Sequence, residues 1–143
     1  LFAKRAGHEK ALDLIRSAQR GGEILFLSVI TWGEIIYTLG RKHGEKNIPM
    51  IEADLSALPF TIVPVDEEQV QQAVLFMVRY TKKMGYADAI AAALAVKRNA
   101  TLVTGDKDFQ CMEKEIPVKV MRPKKKIGAT GLNRKFDSHR LRA

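Results

Sequence analysis

Apolar residues recur at the spacing of one helix face from His8 to about Gln19, where Ala11, Leu12, Ile15 and Ala18 line up and Gly21-Gly22 ends the run. Ile24 to Leu27 is short, apolar and bounded by glycines and Ser28, the pattern of a strand. A helix is predicted from about Thr31 to Lys42 with Ile35, Ile36 and Leu39 inward, and a weaker one from Asn47 to Leu58 with Pro49 in its first turn. Phe60 to Val63 reads as a second strand closed by Pro64. Asp66 is placed to cap the next helix, which runs to about Lys82 with Val70, Ala73, Val74 and Met77 on one face. Gly85 breaks it. The stretch from Tyr86 to Phe109 then supplies an alanine-rich helix, a strand at Thr101 to Val103 and a turn. Lys107 to Lys114 is a brief helix, and Val118 to Met121 a last strand. Four strands separated by about six helices imply right-handed crossovers and a parallel sheet covered on both faces, an α/β fold.

The 143 residues fit one such unit, and 46% apolar with 28% charged residues is globular composition. No apolar run reaches the roughly 18 residues of a membrane helix and no secretory signal opens the sequence, so a soluble, cytoplasmic protein without membrane contact is expected. Cys111 is alone, and His8, His43 and His139 are scattered, which excludes an internal disulfide and a Cys/His zinc site. The net charge of +8 changes meaning once located. Residues 119–143 hold nine of the 24 Lys+Arg and one of the 16 Asp+Glu, which leaves residues 1–118 balanced at 15 each. Domain organisation follows: a neutral body over 1–121 and a basic tail over 122–143, expected to be disordered, in which Lys124, Lys125 and Lys126 are the candidate nucleic-acid contacts.

The chemistry-bearing candidates are acids, and each has an ordinary explanation beside it. Glu34 follows Thr31 by three residues, the capping-box pattern. Asp88 lies in the first turn of its helix, where the helix dipole favours a carboxylate. Asp106 sits in TGDKD, ordinary turn chemistry after a strand, and Asp108 is placed to cap the short helix that follows. Thr104 could orient Asp106 or a water through its hydroxyl. Trp32, Tyr37, Phe76 and Tyr80 fit core or half-buried helix positions better than base-stacking ones. Helix, strand, then an acid in the turn can bring Asp88 and Asp106 to the carboxyl edge of a parallel sheet, the usual ligand site of open α/β folds. Crowded carboxylates need a cation, and Mg²⁺ or Mn²⁺ on oxygen ligands supports phosphodiester hydrolysis. No Walker loop, GxGxxG, Ser/His/Asp set or cysteine pair offers another chemistry.

SVITWGEIIYTLGRKHG with Glu34, LPFTIVPVDEE, and GYADAIAAALAVKRNATLVTGDKDF with Asp88 and Asp106 together resemble the PIN-domain ribonucleases, in particular the toxins of VapBC toxin–antitoxin pairs, over roughly residues 1–121. The resemblance implies a three-layer α/β/α fold and a metal-dependent endoribonuclease acting on structured RNA such as tRNA or rRNA. It also implies a small VapB-type antitoxin and a homodimer. Glu34, Asp88 and Asp106 would be the second, third and fourth acids of the family's quartet, with Asp108 an occasional extra. The family's first acid, at the end of a central N-terminal strand, has no counterpart here. LFAKRAGHEKALDLI matches the helix that follows that strand, so an N-terminally truncated chain is expected. The alternatives are a non-catalytic PIN-like binding module and an RNA-processing PIN nuclease that is not a toxin.

Overall fold

In the computed structural model, residues 7–80 and 84–121 are described. The basic tail, with Lys124, Lys125 and Lys126, lies outside them, as do the last residues expected in the helix after Asp66. The order is α1 (His8–Gln19), β1 (Leu25–Ser28), α2 (Val29–His43), a 3-10 turn at Glu45–Asn47, α3 (Ile48–Ser56), β2 (Phe60–Val63), α4 (Glu67–Arg79), α5 (Tyr86–Lys97), β3 (Leu102–Thr104), a 3-10 segment at Lys107–Met112 and β4 (Val118–Val120). All four expected strands form within a residue or two of their predicted bounds. No described helix is long and apolar enough to cross a membrane.

Local chemistry explains most of these ends. Gly21 adopts φ 75°, and the Gly22 N–H donates to the Ser17 carbonyl, 2.9 Å, so α1 stops at the predicted glycine pair. Asn99 at φ 48° ends α5 the same way, with the Ala100 N–H donating to Ala95 O, 2.9 Å. Pro49 stands in the first turn of α3, where a missing N–H costs nothing. The Asp66 carboxylate accepts the Gln69 N–H at 2.9 Å and caps α4 as expected.

Helix α5 is the centre of the molecule. Ala89, Ile90, Ala92, Ala93, Leu94 and Ala95 are all buried, which covers nearly every direction around its axis. Its alanines let α4 lie close on one side while β1, β3 and α2 touch it elsewhere. Phe76, Ile90 and Met112 are fully buried, each stabilising by about 1.5–3 kcal/mol relative to exposure. Buried Gln69 donates from Nε2 to the Ile90 carbonyl, 3.1 Å, and ties α4 to the middle of α5. At the other end of α4, Arg79 and Tyr80 both bond the Glu115 carboxylate, the former at 2.7 Å, which fastens the loop after the 3-10 segment.

The strands do not form one sheet. β1 pairs with β2 in parallel, Leu25 opposite Phe60 through Ser28 opposite Val63; β3 pairs with β4, Leu102 opposite Val118 through Thr104 opposite Val120. Among the described residues β1 and β3 both touch α5 but share no ladder, so each keeps an unpaired edge. Full coverage of both sheet faces is not found either. Leu102 is buried but Val103 and Lys119 are exposed.

Two predicted orientations also need correction. Val74 is 45% exposed, and Phe76 takes the inward place beside Ala73, since the line along which α4 meets α5 passes through residues 69, 73 and 76. Tyr37 is exposed rather than half-buried, with Arg41 donating to its hydroxyl at 3.2 Å.

Candidate metal site at the carboxyl edge

Asp88 and Asp106 are delivered by adjoining elements. Asp88 is the third residue of α5, whose N-cap Gly85 has an extended backbone and no side chain to offer. The Gly85 N–H lies by the Asp88 carboxylate and favours its ionised form. Asp106 stands two residues beyond β3. Thr104 Oγ1 accepts the Asp106 N–H at 3.1 Å, and Asp106 Oδ1 accepts the Asp108 N–H at 2.8 Å. Asp106, not Asp108, is therefore the cap of the 3-10 segment, because its carboxylate is the one placed over the first free N–H. Thr104 does orient Asp106, through the backbone. One carboxylate oxygen of Asp106 is spent on capping and the other is left for a ligand.

The two acids lie within one another's field. The Asp88 carboxyl is held above the ordinary Asp range, first because surrounding protein partly desolvates it and further because Asp106 is a like charge nearby; the Gly85 N–H pulls the other way. The residue still presents an open, solvent-facing side, so a ligand can reach it. A carboxylate that is both partly desolvated and repelled is one whose ionised form a cation would stabilise, and the residues present fit a hard divalent ion in that respect.

Glu34 is placed differently from the sequence expectation. Helix α2 starts at Val29 and is capped by Ser28, whose Oγ accepts the Ile30 N–H at 3.2 Å. Thr31 is thus inside the first turn and Glu34 inside the second, so the capping-box explanation for Glu34 falls away. Glu34 is exposed on α2, which contacts both β1 and α5. Among the described residues no group of three or more His, Cys, Asp or Glu side chains is gathered closely enough to hold a metal ion.

Ser28 is the residue that sequence reading passed over. It is 2% exposed at the carboxyl end of β1 and sets where α2, and with it Glu34, begins. Its signal was present: a serine directly between an apolar strand and a helical run is a cap candidate.

A model of the PIN domain family matches residues 1–115. No curated protein sequence matches the chain. Solved structures with the same fold include a toxin–antitoxin complex from Klebsiella pneumoniae, 23% identical over 86% of this chain and 90% of that one, with a TM-score of 0.58. VapBC2 from Rickettsia felis bound to a DNA fragment from its promoter is 19% identical over 80% of this chain and 84% of its own, TM-score 0.59. VapBC-1 from nontypeable Haemophilus influenzae is 18% identical, covering 80% and 89%, TM-score 0.59. With the family model spanning most of its length and an acid pair at the carboxyl edge of its parallel strands, this chain belongs to the PIN-domain family.

Proposed function

We propose that the protein is a divalent-metal-dependent endoribonuclease, hydrolysing phosphodiesters of structured RNA such as tRNA or rRNA, and the toxin of a toxin–antitoxin pair. The observation that carries this is the Asp88 and Asp106 pair: two carboxylates in one another's field, one already held above its ordinary pKa. Asp88 and the free oxygen of Asp106 would hold the cation, with Glu34 and Asp108 joining once substrate and metal draw the site together. Mg²⁺ or Mn²⁺ held there supplies Lewis acidity toward a phosphodiester. Thr104 keeps the Asp106 backbone in place. Ser28 fixes the start of the helix that presents Glu34.

The partner reading rests on the similar solved structures, which are toxin–antitoxin complexes, and on exposed apolar surface. Val74, Leu75 and Val78 form a strip on α4, the last of them 70% exposed, and surface of this kind favours burial against protein. A small VapB-type antitoxin and a second copy of the chain are the two partners in this reading. In the full chain, Asp88→Asn is expected to abolish metal-dependent RNA cleavage while leaving the circular dichroism spectrum intact. Undiminished cleavage by that variant would sink the proposal. Growth arrest on expression, relieved by a co-expressed small neighbouring protein, separates a toxin from an RNA-processing nuclease.

One observation favours a second reading. Because no third acid joins the pair among the described residues, a non-catalytic PIN-like module that binds RNA is the competing function. It predicts RNA binding without any Mg²⁺- or Mn²⁺-stimulated hydrolysis, and measurable metal-stimulated turnover removes it.

A further inference from the structure

Tyr37 is 62% exposed on α2, a large ring left on the surface. The Arg41 guanidinium lies 5.8 Å from its centroid and donates to its hydroxyl at 3.2 Å, which holds the ring in place. Beside the ring is a depression of about 300 Å³ lined by Tyr37, Gly40, Arg41, Glu45 and Ile48. Two glycines shape it. Gly40 is buried, and a Cβ there would stand 3.2 Å from the Ile48 Cγ1, so α2 and α3 approach this closely only where a side chain is absent. Gly44, at φ 96°, ends α2 and turns the chain so that Glu45 stands at the rim.

Gly40 and Ile48 make an apolar floor, and the rim carries opposite charges. Arg41 offers only donors and Glu45 only acceptors. Among the described residues no ion pair joins the two, so both charges remain available to an occupant. An apolar protein side chain would fill the depression and leave both without partners. A nucleotide uses every wall. Its base stacks on an aromatic ring, its edge bonds to the rim, and its phosphate meets Arg41 or the exposed Lys42 and Lys46. Guanine alone presents two adjacent N–H donors, N1–H and N2–H, on its Watson–Crick edge, and these match the two oxygens of one carboxylate. Adenine and cytosine set an acceptor beside their donor, and uracil sets one on each side, so each turns a lone pair toward Glu45.

We propose that the depression between α2 and α3 is a guanosine subsite for RNA, in which Tyr37 stacks the base, Glu45 accepts N1–H and N2–H, and Arg41 meets the phosphate. Helix α2 leaves the carboxyl end of β1 at Ser28, and Tyr37 lies roughly 13 Å further along its axis. The base is thus held beside the carboxyl edge and not at it. This rests on the nuclease reading for its RNA substrate and adds which base that substrate presents.

The test uses the full chain in EDTA and fluorescein-labelled RNA pentamers UUXUU, where X is guanosine, inosine, adenosine or uridine. Anisotropy titrations should show the guanosine pentamer binding about 10-fold tighter than the adenosine and uridine pentamers. Inosine, which keeps N1–H but lacks the N2 amine, should fall between them. Charge attraction to phosphate is the same for all four pentamers, so the comparison isolates the base. Glu45→Gln should erase the ratio between guanosine and adenosine. Tyr37→Ala should weaken the guanosine pentamer by about 5-fold or more as stacking is lost. Both positions are exposed, and circular dichroism checks that both variants fold. Equal affinity for guanosine and adenosine, or a preference that survives Glu45→Gln, overturns the inference. It is also overturned if the pentamers bind alike and Tyr37→Ala instead dissociates a dimer in sedimentation, since a second copy of the chain then fills the depression. No readout requires hydrolysis. A guanosine preference in a chain that cleaves no RNA with Mn²⁺ removes the nuclease reading alone, and cleavage without that preference removes this inference alone.

Discussion

Replacing Asp88 by Asn should change stability in opposite directions depending on whether a divalent cation is present. The Asp88 carboxyl is held above the ordinary Asp value near 3.8, chiefly by partial desolvation and additionally by Asp106, against the pull of the Gly85 N–H. A carboxyl whose pKa is higher folded than unfolded binds its proton more readily in the native state. Above the folded pKa, ionised Asp88 therefore weighs against folding, and below the unfolded value near 3.8 the difference vanishes. Asparagine removes the charge and keeps an oxygen for the Gly85 N–H. In EDTA at pH 7 the variant should melt higher than the natural chain, and its advantage should fade as pH falls through the raised Asp88 pKa. Saturating Mn²⁺ reverses the order. A cation that binds only the native state contributes about 2.7 kcal/mol at one hundred times its Kd. For a chain of this size, at roughly 3–4 °C per kcal/mol, that is a Tm gain of about 10 °C, available to the natural chain and largely lost to the variant. Thermal melts by circular dichroism, in EDTA and in MnCl₂, at pH 7 and near pH 4, measure all four quantities. A variant that melts lower in EDTA at pH 7 would contradict the assignment of desolvation and like-charge repulsion at Asp88. An equal Mn²⁺ response in both proteins would refute the acid pair as the cation site.

Three further outcomes follow from the packing and the caps. Ser28→Ala removes a buried cap acceptor from the Ile30 N–H and should cost about 1 kcal/mol, read as a Tm loss of about 3–4 °C, with Ser28→Thr recovering most of it. Phe76→Ala empties a fully buried ring site between α4 and α5 and should cost about 3–5 kcal/mol in urea unfolding; a loss under 1 kcal/mol would show that α4 is not seated as described. Asp66 is the opposite case to Asp88. Its carboxyl is held below the ordinary range, first by Lys97 and then by the Gln69 N–H, so its contribution is present at neutral pH and is lost as pH falls below 3.8 through the lowered folded value. Asp66→Asn should accordingly lower Tm at pH 7, and melts repeated toward pH 3 should show the gap closing; a gap that stays constant with pH would remove the charge from the explanation.

Much of this molecule was legible because it is local. Helical spacing located α1, α2, α4 and α5, Pro49 and Asp66 marked the first turns of α3 and α4, and Gly21 marked the end of α1. The alanine content of α5 announced a helix that neighbours approach closely, and its burial in nearly every direction agrees. Asp88 and Asp106 could be placed at one edge because a strand running between helix and turn leaves few other arrangements. Where cap signals competed, local reading was ambiguous. Ser28 and Thr31 both qualify as caps, and the strand pairing of Ser28 with Val63 decided for the earlier one. Asp106 and Asp108 competed in the same way, and the Thr104 bond to the Asp106 N–H settled which carboxylate reaches a free donor.

Tertiary structure alone decided the rest. Whether Val74 or Phe76 points inward depends on where α5 lies, and both are apolar, so periodicity on α4 could not choose. The split of four similar strands into two separate pairs is a matter of which edges meet across the chain. Above all, the acids were equivalent as letters. Asp88 comes under the field of Asp106 because electrostatic coupling falls with distance, and distance between residues far apart in sequence is set by packing around α5 rather than by the spacing of the residues themselves.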